Sequence, residues 1–223
     1  MKVSVIIRTK NEERWIGHAI QSVLDHLTKP EIIVVDNNST DQTIDIVNTF
    51  KEDPLLKKKD NSNYTSIKIL KIENYTPGRA LNLGASKAKN NIILILSSHC
   101  VLTKINLNQI NDDLKSYVAI FGKQIPVYNG KKIVPRYIWS HFVSKRVTNM
   151  YSSMEGRPFL HNAIAIYKRD YLIKNKFDEN LVSKEDRYWA IDAKSNKKNI
   201  LYDPNLEVLH HYTDNGNTWK GIA

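Results

Sequence analysis

A chain of 223 residues, 41% of them hydrophobic, can build one substantial core with at most a small appended subdomain. No apolar run approaches the ~20 residues that span a bilayer, only five uncharged residues separate Lys2 from Arg8 so no secretory leader is expected, and the single cysteine, Cys100, excludes an internal disulfide and suits the reducing cytoplasm. Thirty-three Lys and Arg against 23 Asp and Glu give a formal charge of +10, which favours anionic partners or else solvates a basic surface; with no RRM, KH, helix-turn-helix or zinc-ligand pattern, nucleic acid is not an expected partner.

The segment VSVIIRT (3–9) predicts a buried strand. EERWIGHAIQSVLDHL (12–27) spaces Trp15, Ile16, Ala19, Ile20, Val23, Leu24 and Leu27 along one face of a helix, with Asn11 as its expected cap. EIIVVD (31–36) is a second apolar run, and Ser39 with Gln42 three residues later predicts a capping box that opens a helix running to about Phe50. DPLLKKKDNSNYT (53–65) has the Pro, Lys run and polar cluster of an exposed loop, and SIKILKIE (66–73) alternates as a strand. Pro77-Gly78 breaks the chain before a small-residue helix, RALNLGASKAKN (79–90), and NIILIL (91–96) suits a fully buried strand. This repeated order implies an α/β fold, a mainly parallel sheet with helices on both faces. Ligands of such sheets gather beyond the carboxyl ends of the strands, here residues 9–12, 36–38 and 97–99. Past Tyr117 the alternation is lost. Within residues 129–157, six Lys or Arg against one Glu are interleaved with Tyr137, Trp139, Phe142 and Tyr151. Such a face holds an acidic acceptor, touches an anionic membrane surface, or is only solvated.

VSVIIRTKNE, IIVVDNNSTDQT, GRALNLGASKA and EDRYWA, in this order and over essentially the whole chain, resemble a family 2 glycosyltransferase with the GT-A fold. The resemblance implies one domain over 1–223, with a nucleotide-sugar-binding half (1–100) and an acceptor and catalytic half (101–223). It puts Thr9 and Glu12 beside the nucleotide and Asp36 against its base, where a strand-end carboxylate can accept the imide N–H of a uracil-like ring. The competing reading of Asp36 is a turn before a helix, and the binding role is preferred because Ser39 would supply the cap and leave Asp36 free. Arg79, at a helix start, is placed for the donor pyrophosphate, with Asn82 one turn further on. His161 and Asn162 fall where similar enzymes position donor sugar and acceptor, although a satisfied turn pair fits as well.

In GT-A enzymes the strand corresponding to NIILIL normally ends in a DxD motif that ligates a divalent metal. Here Ser97-Ser98-His99 stands in its place, resembling the Asp-x-His variant of polypeptide N-acetylgalactosaminyltransferases, whose histidine is a metal ligand. Imidazole suits Mn²⁺ better than Mg²⁺. Ser98 could bond the ribose or a metal-bound water. A second ligand is expected from EVLHHYTDNGNTW (207–219), where strand alternation puts His210 and His211 on opposite faces and makes His210 the preferred partner of His99. One packed and one exposed imidazole is the alternative. So is a metal-free enzyme in which Arg79 and lysines neutralise the diphosphate.

An acceptor hydroxyl is a poor nucleophile near neutral pH, so inverting transfer needs a carboxylate to take its proton. In FDENLVSKEDRYWA (177–190) the resemblance makes Asp186 that base, with Glu185 next and Trp189 offering an apolar face to a sugar ring; Ser183-x-x-Asp186 also fits a helix cap. A sugar-phosphate nucleotidyltransferase would carry a Gly-rich loop near residue 10, and RTKNEE has none. The expectation is transfer of a sugar from a nucleotide-sugar, UDP-linked first, to a saccharide or lipid-linked acceptor in surface polysaccharide or glycoconjugate biosynthesis. It would act in the cytoplasm, with peripheral contact at the inner membrane face as an option. The alternative is a degenerate, non-catalytic nucleotide-sugar or glycan-binding module.

Overall fold

The computed structural model describes residues 2–54, 56, 65–216 and 219, so most of the loop expected at 53–65 lies outside the described residues. The first half runs β1 (Val3–Thr9), α1 (Ile16–His26), β2 (Glu31–Asp36), α2 (Thr43–Glu52), β3 (Ser66–Lys71), α3 (Pro77–Lys87) and β4 (Ile92–Ser97). β5 (Cys100–Lys104), α4 (Leu107–Asp113), β6 (Ala119–Tyr128) and β7 (Lys131–Lys132) follow, then a 3-10 turn at Tyr137–His141 and the two-residue strands β8 (Val147–Thr148), β9 (Tyr151–Ser152) and β10 (Arg157–Pro158). The chain closes with β11 (Ile164–Lys168), α5 (Arg169–Lys174), α6 (Glu185–Ser195) and β12 (Ile200–His211).

The main sheet follows the order β3-β2-β1-β4-β11-β6-β12-β5. Its first four strands are parallel, β11 runs against both β4 and β6, and β12 is parallel to β6 and antiparallel to β5. β1, β2 and β4 read as near-continuous apolar runs because both faces are covered, whereas the edge strand β3 alternates. Ile6, Ile33 and Val35 pack into one core with Ala80, Leu81 and Ala85 of α3, and Val5, Ile7, Ile32 and Val34 pack into the other with Ile16, Ala19, Ile20 and Val23 of α1. That division follows from the two-residue period of a strand. The small residues of α3 allow close approach, since a Cβ on Gly84 would lie 2.7 Å from Ile6. No described helix is long and apolar enough to cross a membrane.

Two helix starts differ from expectation. α1 begins at Ile16, four residues after the expected start, because Asn11 sits in the left-handed region (φ 51). Its side-chain oxygen accepts the Thr40 N–H at 2.8 Å instead of capping. α2 begins at Thr43 without a side-chain cap at Gln42, and the Ser39 hydroxyl donates to Asp36 at 2.6 Å, so the expected capping box does not form. The orphan helix donors are met across the two loops. Gln42 N–H donates to Glu13 (2.8 Å), Glu13 N–H to Asp41 (3.0 Å) and Glu12 N–H to the Thr43 hydroxyl (2.7 Å). These crossed bonds satisfy donors that a local cap would otherwise take, and they fix the β1–α1 loop against the β2–α2 loop. α3 opens at Pro77 under a Thr76 cap, which accepts the Arg79 N–H.

Candidate active site

Beyond the carboxyl ends of β1 and β4 lies a cavity of about 250 Å³, whose lining includes Arg8, Thr9, Glu12, Asn37, Tyr75, Ser97, Ser98, His99, His161, Asn162, Asp186 and His210. It sits where an open α/β sheet places its ligands.

One wall is a line of four side chains. His99 Nδ1 lies 3.1 Å from Glu12 Oε1, His99 Nε2 lies 3.0 Å from His210 Nε2, and His210 Nδ1 lies 2.8 Å from Gln124 Oε1. The turn that carries His99 is held by β12, because the His211 N–H donates to the His99 carbonyl at 3.0 Å. Burial, reinforced by His99, His161 and His211, pushes His210 well below the usual histidine range, so it is neutral. With the His99 Nδ1 directed at a carboxylate and the His210 Nδ1 at an amide oxygen, the two Nε2 atoms are turned toward each other at 3.0 Å, a contact that a proton or a cation can bridge. That arrangement fits a cation between them, and imidazole nitrogens are donors for divalent transition metals. The Cys100 sulfur also lies within 4.8 Å of these nitrogens, but burial and the Glu12 charge push its thiol well above its usual range and keep it protonated, a poor ligand. His211 points the other way and stacks on Trp15 with ring centroids 4.0 Å apart.

The opposite wall carries the carboxylates. α6 begins after Lys184, a left-handed residue (φ 63) that makes no side-chain cap bond, so the Ser183-x-x-Asp186 capping pattern is not used. Asp186 accepts the Asn162 N–H, the Arg187 N–H and an Arg187 guanidinium N–H, each at 2.9 Å. A carboxylate offers about four acceptor positions, so one is left on a group that lines the cavity. Glu185 turns away onto Arg8 at 2.8 Å. Burial alone would lower the Arg8 pKa, but the charge of Glu185, aided by Tyr75 and Asp186, outweighs it and holds the guanidinium charged.

The other expected residues divide. Thr9 is 4% exposed and lines the cavity, and its hydroxyl has no hydrogen-bond partner among the described residues. Ser98, also buried, lines it too. His161 accepts the Ala163 N–H at 3.2 Å, and burial, with Arg187, Arg8 and His99, pushes its pKa well below the usual value. Asn162 accepts the Tyr167 hydroxyl at 2.6 Å, while its side-chain NH₂ has no partner among the described residues.

Four expectations need correction. Asp36 does not line the cavity: Ser39 donates its N–H and hydroxyl to that carboxylate, so Ser39 does not leave Asp36 free as expected. Its neighbour Asn37 lines the cavity instead. Arg79 is spent on the Asn74 carbonyl (2.8 Å) and Glu179 (3.4 Å), and Asn82 bonds the backbone of Phe177 and the Glu179 carboxylate, so both tie α3 to residues 177–179 outside the cavity lining. Trp189 is 3% exposed, donates its indole N–H to the Asn175 carbonyl at 2.6 Å and packs edge-on against Tyr167, a core position rather than a sugar platform. Sequence reasoning missed Arg8, whose signal was a charge at the end of an apolar strand. It also missed Gln124 and Arg187, which carry no signal in isolation.

The profile of the family described as Glycosyl transferase family 2 matches residues 4–175. Poly(ribitol-phosphate) beta-N-acetylglucosaminyltransferase TarS of Staphylococcus aureus (strain MW2) is 26% identical over 216 residues, covering 91% of this chain and 34% of TarS. Minor teichoic acid biosynthesis protein GgaA of Bacillus subtilis (strain 168) is 28% identical over 209 residues, 84% of this chain and 45% of GgaA. The chain thus spans less than half the length of these relatives. The crystal structure of S. aureus TarS 1-349 in complex with UDP-GlcNAc superimposes with a TM-score of 0.72 at 23% identity, covering 100% of this chain and 62% of that one. Mannosyltransferase PcManGT from Pyrobaculum calidifontis, in complex with GDP-Man and Mn²⁺, gives 0.68 at 18% identity over 96% and 58%. Both likenesses show the GT-A fold.

Proposed function

The chain belongs to glycosyl transferase family 2, and from that premise we propose that it moves a sugar from a nucleotide-sugar, UDP-linked first, onto an anionic saccharide or lipid-linked acceptor in surface polysaccharide biosynthesis. It would do so as one domain, with residues 1–100 on the donor side and 101–223 on the acceptor side, in the cytoplasm or at its membrane face. The observation that carries the reading is the cavity itself: a carboxylate with an open acceptor position, Asp186, shares it with a facing pair of imidazole nitrogens at the strand ends.

In this reading His99 and His210 would hold a divalent ion, Mn²⁺ in preference to Mg²⁺, which when bound would neutralise charge building on the donor diphosphate. Asp186 takes the acceptor proton as the acceptor oxygen attacks the anomeric carbon and the bond to the diphosphate breaks on the opposite face, so configuration inverts. Arg8 supplies fixed positive charge on the cavity wall, and the unpartnered Thr9 hydroxyl and Asn162 NH₂ offer hydrogen bonds to nucleotide or sugar. The anionic acceptor follows the names of TarS and GgaA, together with exposed Lys131, Lys132, Arg136 and Lys145 beside exposed Tyr137 and Tyr151. Contact of this face with an anionic membrane is the other outcome of the same chemistry.

UDP release from UDP-GlcNAc, with poly(ribitol phosphate) present or absent and in EDTA or added Mn²⁺, tests the reading. Acceptor-stimulated release that EDTA removes is expected. Release equal in EDTA and Mn²⁺ would remove the metal from the mechanism, and no release with any UDP-sugar would remove the enzyme. Co-sedimentation with anionic vesicles at low salt decides the membrane option.

A further inference from the structure

We propose that Gln124 is the positioning residue that selects the metal-binding tautomer of His210. The proposal rests on the reading of His99 and His210 as cation ligands and adds the group that makes one of them competent.

A neutral imidazole has one N–H and one lone pair, and the partner of the N–H decides which nitrogen is free to ligate. For His210 that choice has a single author among the described residues. The ring is 1% exposed, with Trp139 edge-on at 4.9 Å and Trp219 edge-on at 6.0 Å. The one hydrogen-bond partner on Nδ1 is Gln124 Oε1 at 2.8 Å. Gln124 sits on β6, next to β12 in the sheet, and is itself 1% exposed. Its amide oxygen keeps the proton on Nδ1 and leaves Nε2 bare, facing His99 Nε2 at 3.0 Å. Without that oxygen the proton would move to Nε2, where it would bond His99 and close the site to a cation. His99 is set in the same sense by Glu12, so the two rings are oriented from outside by one carboxylate and one amide. The amide adds no second charge in a place buried from water, where an unpaired carboxylate would be costly. Gln124's own NH₂ has no partner among the described residues, so its oxygen is not held in place by bonds on the other side. Packing and His210 alone fix it.

The test uses the whole chain, MnCl₂ as the probe and two readouts. ¹⁵N spectroscopy of the metal-free protein should find the His210 proton on Nδ1, and on Nε2 in Gln124→Leu. Mn²⁺ affinity by electron paramagnetic resonance should fall about 10–100-fold in Gln124→Leu, while Gln124→Glu, which keeps an acceptor at the same reach, should retain it. Thermal unfolding of each variant confirms that it is folded. Equal Mn²⁺ affinity in Gln124→Leu and the unsubstituted chain, or a proton on Nε2 in the unsubstituted chain, overturns the proposal. No Mn²⁺ binding by the unsubstituted chain overturns the metal reading beneath it, and the position of the His210 proton still separates that failure from an error about Gln124.

Discussion

The two walls of the cavity are built by different means. The wall at the ends of β1 and β4 is placed by strand register, with backbone N–H groups of its loop donating to the Thr43 and Asp41 side chains. The strand register aligns Thr9 with Asp36 and Arg8 with Ser97, crossed loop bonds fix residues 12 and 13, and Thr9 is left with an unbonded hydroxyl. The wall from α6 is held by side-chain charge: Arg8 on Glu185, and Arg187 on both Asp186 and Glu155. Backbone register tolerates side-chain replacement, because the ladder does not depend on it. A buried charge network does not, since removing one partner strands the other. Substitutions on the α6 wall should therefore cost stability as well as activity, and those on the strand-end wall chiefly ligand affinity.

The largest expected effect is that of Asp186→Asn on turnover. The amide keeps the shape but cannot accept a proton, so kcat should fall about 10²–10⁴-fold, while donor affinity, set on the other wall, stays within about twofold. Titration of a UDP-sugar against the variant measures the second quantity. Near-normal turnover would make Asp186 a structural acceptor for Asn162 and Arg187 only. Arg8→Met comes next and probes the charge that joins the walls. It leaves Glu185, 3% exposed, without its partner, and should cost about 3–5 kcal/mol in urea unfolding. Replacing Glu185 by Met in the same chain should recover a large part, and a loss under 1 kcal/mol for Arg8→Met would show that the pair does not hold the walls together.

How much of this was readable in advance follows the same division. The four parallel strands were legible to within about two residues, β1, β2 and β4 because coverage on both faces makes them near-continuous apolar runs, and edge strand β3 because it alternates. The starts of α1 and α2 were not, because their donors are met by Glu13, Asp41 and Thr43 across two loops, and local capping rules see only neighbours in sequence. His99 and His210 were visible as a motif position and a paired histidine, yet the fact that they meet is set by β12 pairing with β5, which puts His210 opposite Cys100. Gln124 was invisible, since nothing in AIFGKQIPVY distinguishes an amide that orients a ring from one on a surface. Trp189 misled because an aromatic one turn beyond an acidic pair reads alike as a sugar platform and as core.

A smaller effect comes from pH. His161 and His210 are buried with pKa values well below the ordinary one, and His211 is pushed down to about 4 by burial, His18, His99 and Arg14. For a histidine whose folded pKa is depressed, the unfolded chain binds the extra proton. Stability is thus full above about 6.5 and is lost as pH falls below it, by at most about 1.4 kcal/mol per pH unit for each histidine. The urea midpoint should be flat from pH 8 to 7 and fall between 6.5 and 5. A midpoint that holds constant to pH 5 would mean that these rings are not buried neutral.

The smallest effect is expected from Arg79→Ala, and it sharpens the comparison because Arg79 and Arg8 are the two arginines that could be assigned to the donor. Arg79 occupies a helix start, the place where an anion is often bound, but its side chain is 40% exposed and its guanidinium is engaged by Glu179 and the Asn74 carbonyl. An ion pair in that degree of solvent contributes about 0–1 kcal/mol. Glu179 keeps its bond from Asn82 when Arg79 is removed, so no buried charge is stranded. Arg79→Ala should therefore change UDP-sugar affinity less than about twofold and stability by under about 1 kcal/mol, while Arg8→Met weakens both. A tenfold loss of donor affinity in Arg79→Ala, with stability unchanged, would show that the Glu179 contact opens when the donor arrives and that the diphosphate is held from α3 as well as from β1.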